Sequence, residues 1–139
     1  MKQYMTNGIN PTPTIAIPIS DTAFAEGKNM MITEIGGKGV KFAADGGAVL
    51  CSTAGEKCIG VVTIDNDVVV AKGDNISVQI KDNGLVRVAE AVVAGDELTV
   101  NADGAFVKAT AGNFVRAIAL ANGKAGSYVR TMLVSYYAA

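Results

Sequence analysis

The sequence predicts an all-β protein: a small β-barrel or sandwich built from two pseudo-symmetric repeats, with an extended N-terminal arm. Three observations predict it. Short apolar or alternating segments recur between turn signals at spacings of roughly 8–12 residues, the rhythm of an all-β domain. The stretch "ELTVNADGAFVKATAGNFVRAIAL" at residues 97–120 repeats the plan of "KFAADGGAVLCSTAGEKCIGVV" at residues 41–62. Half of the 139 residues are hydrophobic, yet Trp is absent and only 4 Phe and 4 Tyr are present, so Val, Ile and Ala must fill the core of one domain-sized chain.

The elements follow in chain order. Residues 1–20 read as the arm. Within "NPTPTIAIPIS" (residues 10–20), Asn10 opens a run in which Pro11, Pro13 and Pro18 keep the chain extended, and Ile15, Ile17 and Ile19 fall on one side at strand spacing. Two readings of this ladder stay open. It adds to the edge of a partner's sheet, or it is the first strand of its own domain; Pro marks an edge either way. Residues 21–139 form the single β domain. "GGKGV" (residues 36–40) reads as a flexible turn, and Asp45-Gly46 as a tight one. Asp65-Asn66-Asp67 is a hairpin turn, and "DVVVA" (residues 67–71) a buried strand. "NISVQI" (residues 75–80) alternates as a half-buried strand does, and Asn83-Gly84 supplies a two-residue turn leading into "LVRV" (residues 85–88). Only "AEAVVAGD" (residues 89–96) hints at a helix, which Gly95 stops. Asp103-Gly104 is another turn, and "SYVRTMLVSYY" (residues 127–137) is a long final strand.

The repeats align through their turn residues. Asp45-Gly46 matches Asp103-Gly104, "STAG" (residues 52–55) matches "ATAG" (residues 109–112) with a one-residue slip, and "CIGVV" (residues 58–62) matches "VRAIA" (residues 115–119). Gly73 matches Gly126, Ile76 matches Val129, and Gly27 is set against Gly95. Repeat one is placed at about residues 25–88 and repeat two at about 93–137. The turn-shaping glycines are Gly46, Gly73, Gly84, Gly95, Gly104 and Gly126. Two copies suit a pseudo-symmetric barrel better than a solenoid, which needs at least ~3 repeats to bury a core.

Most chemistry is excluded by residue type. The chain has no His, which removes Ser-His-Asp and Cys-His nucleophile systems and imidazole metal ligands. Two Cys cannot complete a structural zinc site. "GGKGV" does not fit the phosphate-binding G-x-x-x-x-G-K-[ST] pattern. "DNDVVVAKGDNI" has Val70 and Ile76 where a calcium loop needs Gly and Glu. No metal and no cofactor is expected, and no catalytic residue. A net charge of −1 without a basic stripe argues against nucleic acid. No run reaches the ~20 apolar residues of a membrane span, and the N-terminus lacks the apolar core of a signal peptide. The expectation is synthesis in a cytosol, where Cys51 and Cys58, on either side of "STAGEK", stay reduced and partly buried.

The second repeat resembles a known family. "AGDELTVNADGAFVKATAGNFVRAIALANGKAGSYVRTML" is similar to the small capsid-decoration, or cement, proteins of tailed bacteriophages, a two-repeat β group long known only as a domain of unknown function. Its members read Gly-Asp, strand, "DADG", "ATAG", "VGVAL", "AGEYVEV", strand. Gly95-Asp96, Ala102-Asp103-Gly104, Ala109-Thr110-Ala111-Gly112, Ala117-Ile118-Ala119-Leu120 and Ala125-Gly126 stand at those places. The resemblance spans about residues 25–135. It departs at Arg116, where the family has a small or apolar residue, and in the extra residues around "GGKGVKF". It implies a structural virion protein, made in the host cytoplasm and carried on the capsid exterior. That protein binds the major capsid protein, bridges capsomers to stabilise the head, and forms a homotrimer. It implies no enzyme. The arm residues Asn10, Pro11, Pro13, Ile15, Ile17, Pro18 and Ile19 are then the expected capsid anchor. Two other classes are weighed against it. One is a β-clip-like ligand-binding or enzyme-appendage domain. The other is a biotinyl or lipoyl carrier, suggested by "VVAGDELTV" (residues 92–100), but its hairpin carries Asp103-Gly104 where such a carrier presents Lys.

Overall fold

The computed structural model describes residues 13–23 and 29–139. Twelve strands among them form three sheets, none of which closes into a barrel, so the all-β expectation resolves as a small sandwich. The strands are β1 (Thr14–Pro18), β2 (Met30–Met31), β3 (Gly39–Phe42), β4 (Ala48–Leu50), β5 (Gly60–Val62), β6 (Val69–Val70), β7 (Asn75–Gln79), β8 (Asn83–Arg87), β9 (Glu97–Val100), β10 (Phe106–Lys108), β11 (Phe114–Ala119) and β12 (Tyr128–Tyr137). A one-turn helix, α1 (Ile32–Ile35), sits between β2 and β3.

The two large sheets have one topology. The first runs β4-β3-β5-β7-β1 and the second β10-β9-β11-β12-β8. The correspondence reaches single bonds. A parallel bridge joins Ile19 to Ala48 in the first and Val88 to Phe106 in the second. The Ser20 N–H donates to the Ala48 carbonyl at 3.0 Å, as Ala89 N–H does to Phe106 at 2.9 Å. Ile80 N–H reaches Pro13 and Leu133 N–H reaches Asp82, each at 2.8 Å. The small β2–β6 ribbon, Met30 opposite Val70, shrinks in the second repeat to one bridge between Val92 and Gly123.

This pairing moves the repeat boundaries. Repeat one begins at Pro13, before residue 25, and repeat two begins at Asp82, before residue 93. β1 is therefore the first strand of its own domain. It pairs along its length with β7, Ile15 opposite Val78 and Ile17 opposite Ile76. Ile17 and Ile19 are buried at 4% and 6% exposure, and of the three only Ile15 is exposed. The division at residue 20 and the free isoleucine ladder are thereby corrected. Burying each Ile is worth roughly 1.5–3 kcal/mol, available without a partner. Asn10 and Pro11 lie outside the described residues.

β8 brings a second correction. β7 and β8 belong to different sheets, so Asn83-Gly84 is no hairpin turn; Gly84 lies within β8 opposite Thr131. The left-handed residue of this crossover is Asp82, at φ 65°. Two smaller readings also change. "DVVVA" gives only the two-residue β6, with Val68 and Val69 exposed, and "AEAVVAGD" forms turns and one bridge while the helix lies at Ile32–Ile35. Gly39 and Val40 of "GGKGV" are in β3, not in a flexible turn.

Each repeat holds a core built from equivalent positions. Ile17, Ile19, Val40, Ala48, Val62 and Ile76 form one; Val86, Val88, Leu98, Phe106, Ala119 and Val129 form the other. Four of the six pairs are smaller in the second repeat, and Phe106 in place of Ala48 refills that volume, as dense packing requires.

The turn glycines Gly46, Gly73, Gly95, Gly104 and Gly126 all have positive φ. Gly37, not Gly27, is the counterpart of Gly95: each precedes its strand, β3 or β9, by two residues, and Gly27 lies outside the described residues. The Asp-Gly turns are equivalent in backbone, with φ 83° at Gly46 and 81° at Gly104, but differ in surroundings. A β-carbon at Gly46 meets nothing within 4 Å; at Gly104 it lies 3.3 Å from the carbonyl oxygens of Gly39 and Cys51. Gly46→Ala is therefore expected to cost about 1 kcal/mol, from the left-handed backbone alone. Gly104→Ala should cost more, in paired urea melts.

Candidate interaction surface

Two surfaces arise from the way the repeats meet. Repeat one offers backbone at three glycines. Gly39 N–H donates to Gly104 at 2.8 Å, Gly55 N–H to Val100 at 2.8 Å, and the Gly37 carbonyl accepts from Arg87 N–H at 2.9 Å. The reverse contacts do not form among the described residues: the Gly46 turn, counterpart of the Gly104 turn, bonds within repeat one, where Asp45 accepts from Ser20 Oγ at 2.9 Å. The seam is head-to-tail rather than self-complementary. The receiving positions Gly39 and Leu50 become Glu97 and Lys108 in repeat two, both exposed charges.

Arg116 pins this seam. Its register position on β11 falls at a bulge, between Val115 opposite Tyr136 and Ala117 opposite Leu133. Bulges re-aim side chains, and here the guanidinium turns inward to 6% exposure. Nη1 donates to the Val134 carbonyl at 2.9 Å, and Nη2 to Ile59 at 3.0 Å and to Ile80. One side chain thus ties β12 to the ends of two segments of repeat one. Burial depresses its pKa from the ordinary arginine value, though a guanidinium stays charged. The single ion pair among the described residues is Lys41–Glu56, so the hydrogen bonds of Arg116 go to carbonyls and not to a carboxylate.

Glu56 orders the "STAGEK" loop. Its carboxylate accepts from Ser52 and Thr53 N–H, each at 2.7 Å, and from Lys41 Nζ at 3.1 Å. Burial pushes its pKa up, but these donors outweigh it and hold the carboxyl below the usual value. A depressed folded pKa stabilises above the unfolded value and is lost as pH falls through the folded one. Stability between about pH 5 and pH 3 should fall less steeply in Glu56→Gln than in the wild type. Midpoints of urea melts across that range measure the difference.

The outer face of the second sheet is the larger surface. Cross-strand pairing places Leu85, Arg130 and Leu120 in one row and Met132 with Ile118 in the next, with Tyr128 beside Arg87. Leu85, Leu120, Tyr128, Met132 and Tyr136 are each about two-fifths exposed. Arg87 lies 5.7 Å from the Tyr128 ring centroid, and Tyr136 donates its hydroxyl to Glu97. In the first sheet the equivalent positions are Ala16, Ser77, Thr63, Gln79 and Asn75. Most inner positions stay apolar in both repeats, Val78 becoming the buried Thr131, while the outer ones diverge except at Val61 and Ile118. A groove of about 530 Å³ separates the two outer faces, with Thr14, Val61, Thr63 and Gln79 on one wall and Leu85 and Arg130 on the other.

Of the expected anchor residues, Pro13 is half-buried, Ile15 and Pro18 are exposed on β1, and Ile17 and Ile19 are core. They do not form one surface. Sequence reasoning missed the apolar outer face, although "SYVRTMLVSYY" carried part of the signal: Tyr128, Met132, Val134 and Tyr136 make one alternating set largely apolar, while Val129 and Leu133 of the other already supply a buried face. No group of three or more Cys, Asp or Glu able to hold a metal occurs among the described residues. No described helix is long and apolar enough to cross a membrane.

No family model matches the chain, and no curated protein sequence matches it. A solved structure does. The N base of the head fiber gp8.5 of bacteriophage phi29 is similar over 87% of this chain and 92% of that one, with a TM-score of 0.61 at 15% identity. At that identity the likeness is one of fold: a two-repeat β sandwich shared with a phage head-fiber base.

Proposed function

We propose that this is a structural protein of a phage virion, bound to the outside of the capsid through the major capsid protein and stabilising the head by bridging capsomers. The observation that carries the reading is the likeness over nearly the whole of both chains to a base domain of a phage head fiber. The fold is a rigid pair of sheets, and the divergence of the outer faces gives it one adhesive side. The chain works as a homotrimer, so that weak contacts on each copy add on a repetitive shell. The test is cosedimentation with heads that lack the protein. The wild type is expected to pellet with the heads, and the doubly charged variant Leu85→Asp/Met132→Asp to stay in the supernatant while melting normally. Equal pelleting of both removes the outer face from the interface; no pelleting of the wild type removes the reading. Light scattering after size exclusion reports the trimer.

A second reading, a β-clip-like ligand-binding module, draws on the groove between the sheets. A thermal-shift screen of sugars and small acids tests it, with Arg130→Ala as the control.

A further inference from the structure

The row Thr14–Gln79–Val61 crosses the outer face of the first sheet from its edge at β1, through β7, to β5. Val61 is 1% exposed and packs in the core of repeat two, so the second sheet covers this row at its β5 end. That cover stops at β8, the last strand of the second sheet. Gln79 and Thr14 continue past it, half-buried, along the groove.

Edge strands are normally blunted, and β8 is blunted at two points only. It bonds β12 through Asp82 and Val88 and, by alternation, through the even positions between them. The backbone groups of Asn83, Leu85 and Arg87 therefore point away from β12. In agreement, the Arg130 carbonyl, opposite Leu85, accepts instead from Leu120 N–H at 2.8 Å. Repeat one takes up two of the three positions: Arg87 N–H donates to the Gly37 carbonyl at 2.9 Å, and Gln79 Nε2 donates to the Asn83 carbonyl. Leu85 lies between them on the groove wall, and among the described residues nothing bonds its N–H or its carbonyl. Arg130, exposed beside it, lines the same groove; Asp65, on the repeat-one wall, makes no ion pair with it.

From this juxtaposition we infer that the groove beyond β8 is the vacant place of a sixth strand in the second sheet, filled by an extended segment of a partner protein that sets a carboxylate beside Arg130. The segment lies antiparallel to β8, as the other neighbours in that sheet do, at the usual ~4.8 Å spacing. Its central residue exchanges two backbone bonds with Leu85, the mode of strand addition to an open edge. Directly opposite residues share a face, so that residue's side chain lies with Leu85 on the outer face, within reach of the long Arg130 side chain. Its two neighbours turn the other way, toward Val61, Thr63 and Gln79, and are small or apolar. The inference is independent of any role on a capsid.

The probe is the peptide acetyl-Thr-Val-Glu-Val-Thr-amide, titrated into the isotope-labelled full chain and followed by NMR. In the free chain the Leu85 amide is expected to exchange with solvent faster than that of Val86, which faces β12. The peptide should shift the Leu85 amide signal and slow its exchange. The same peptide with Lys at its centre should bind about tenfold more weakly to the wild type, and the difference should vanish in Arg130→Gln. N-methylation of the central residue removes its donor and should abolish the shift. The inference is overturned if millimolar peptide leaves Leu85 unmoved, or if the N-methylated peptide binds equally well. It is equally overturned if the Leu85 amide is already protected without peptide: at every protein concentration, the chain itself fills the edge; at high concentration alone, a second copy does.

Discussion

Arg116→Leu is expected to destabilise the fold by about 3 kcal/mol, more than any other single change outside the apolar core. The leucine fills much of the same volume but donates nothing. The carbonyls of Val134, Ile59 and Ile80 lose their shared donor together, inside a seam from which water is excluded. Each orphaned group costs roughly 1–3 kcal/mol, and removing the buried charge returns part of that total. The loss falls on the contact between repeats, so Arg116→Lys, which keeps the charge without the planar fork, should recover only part of it. Denaturant midpoints of the three proteins measure this. A cost below about 1 kcal/mol for the leucine variant would show that water reaches those carbonyls.

The second large effect concerns the amino-terminal segment. A chain lacking residues 2–20 is expected to lose cooperative unfolding altogether. The deletion removes β1 and with it five paired residues along β7. It also removes Ile17 and Ile19, for which truncation to Ala alone costs about 2–5 kcal/mol each in a packed core. The Ile19–Ala48 bridge goes too, leaving β7 as a bare edge. Ile17→Ala by itself should lower the urea midpoint without changing the fold. A truncated chain that still melts in one sharp transition would mean that β1 is an accessory strand.

The sequence carried the fold class, the repeat and its turn glycines for a physical reason. Turn chemistry and period-2 alternation are local, so the Asp45-Gly46 and Asp103-Gly104 turns and the strand at residues 75–79 can be read from neighbours alone. What was misplaced depends on distant partners. Asn83-Gly84 has the composition of a hairpin turn, but β8 pairs with β12, some forty positions on, and nothing in "KDNG" encodes that choice. "TIAIPIS" is compatible with a free ladder or an edge strand, and only β7 decides between them. Arg116 looked like a departure from an apolar position. Its role became visible only with a bulge that no residue in "FVRAIA" announces. The apolar outer face was legible in part, from a final strand that carries apolar residues on both sides; the missing comparison was with the outer face of repeat one, which needs the register.

The proposed placement on a capsid is tested most directly by electron cryomicroscopy of phage particles assembled with the protein. Density for the two-sheet domain is expected on the outer surface of the head, touching at least two capsomers, with the sheet that carries Leu85, Tyr128 and Met132 turned toward the shell. A particle in which the protein is absent, or lies inside the shell or on the tail alone, would contradict it.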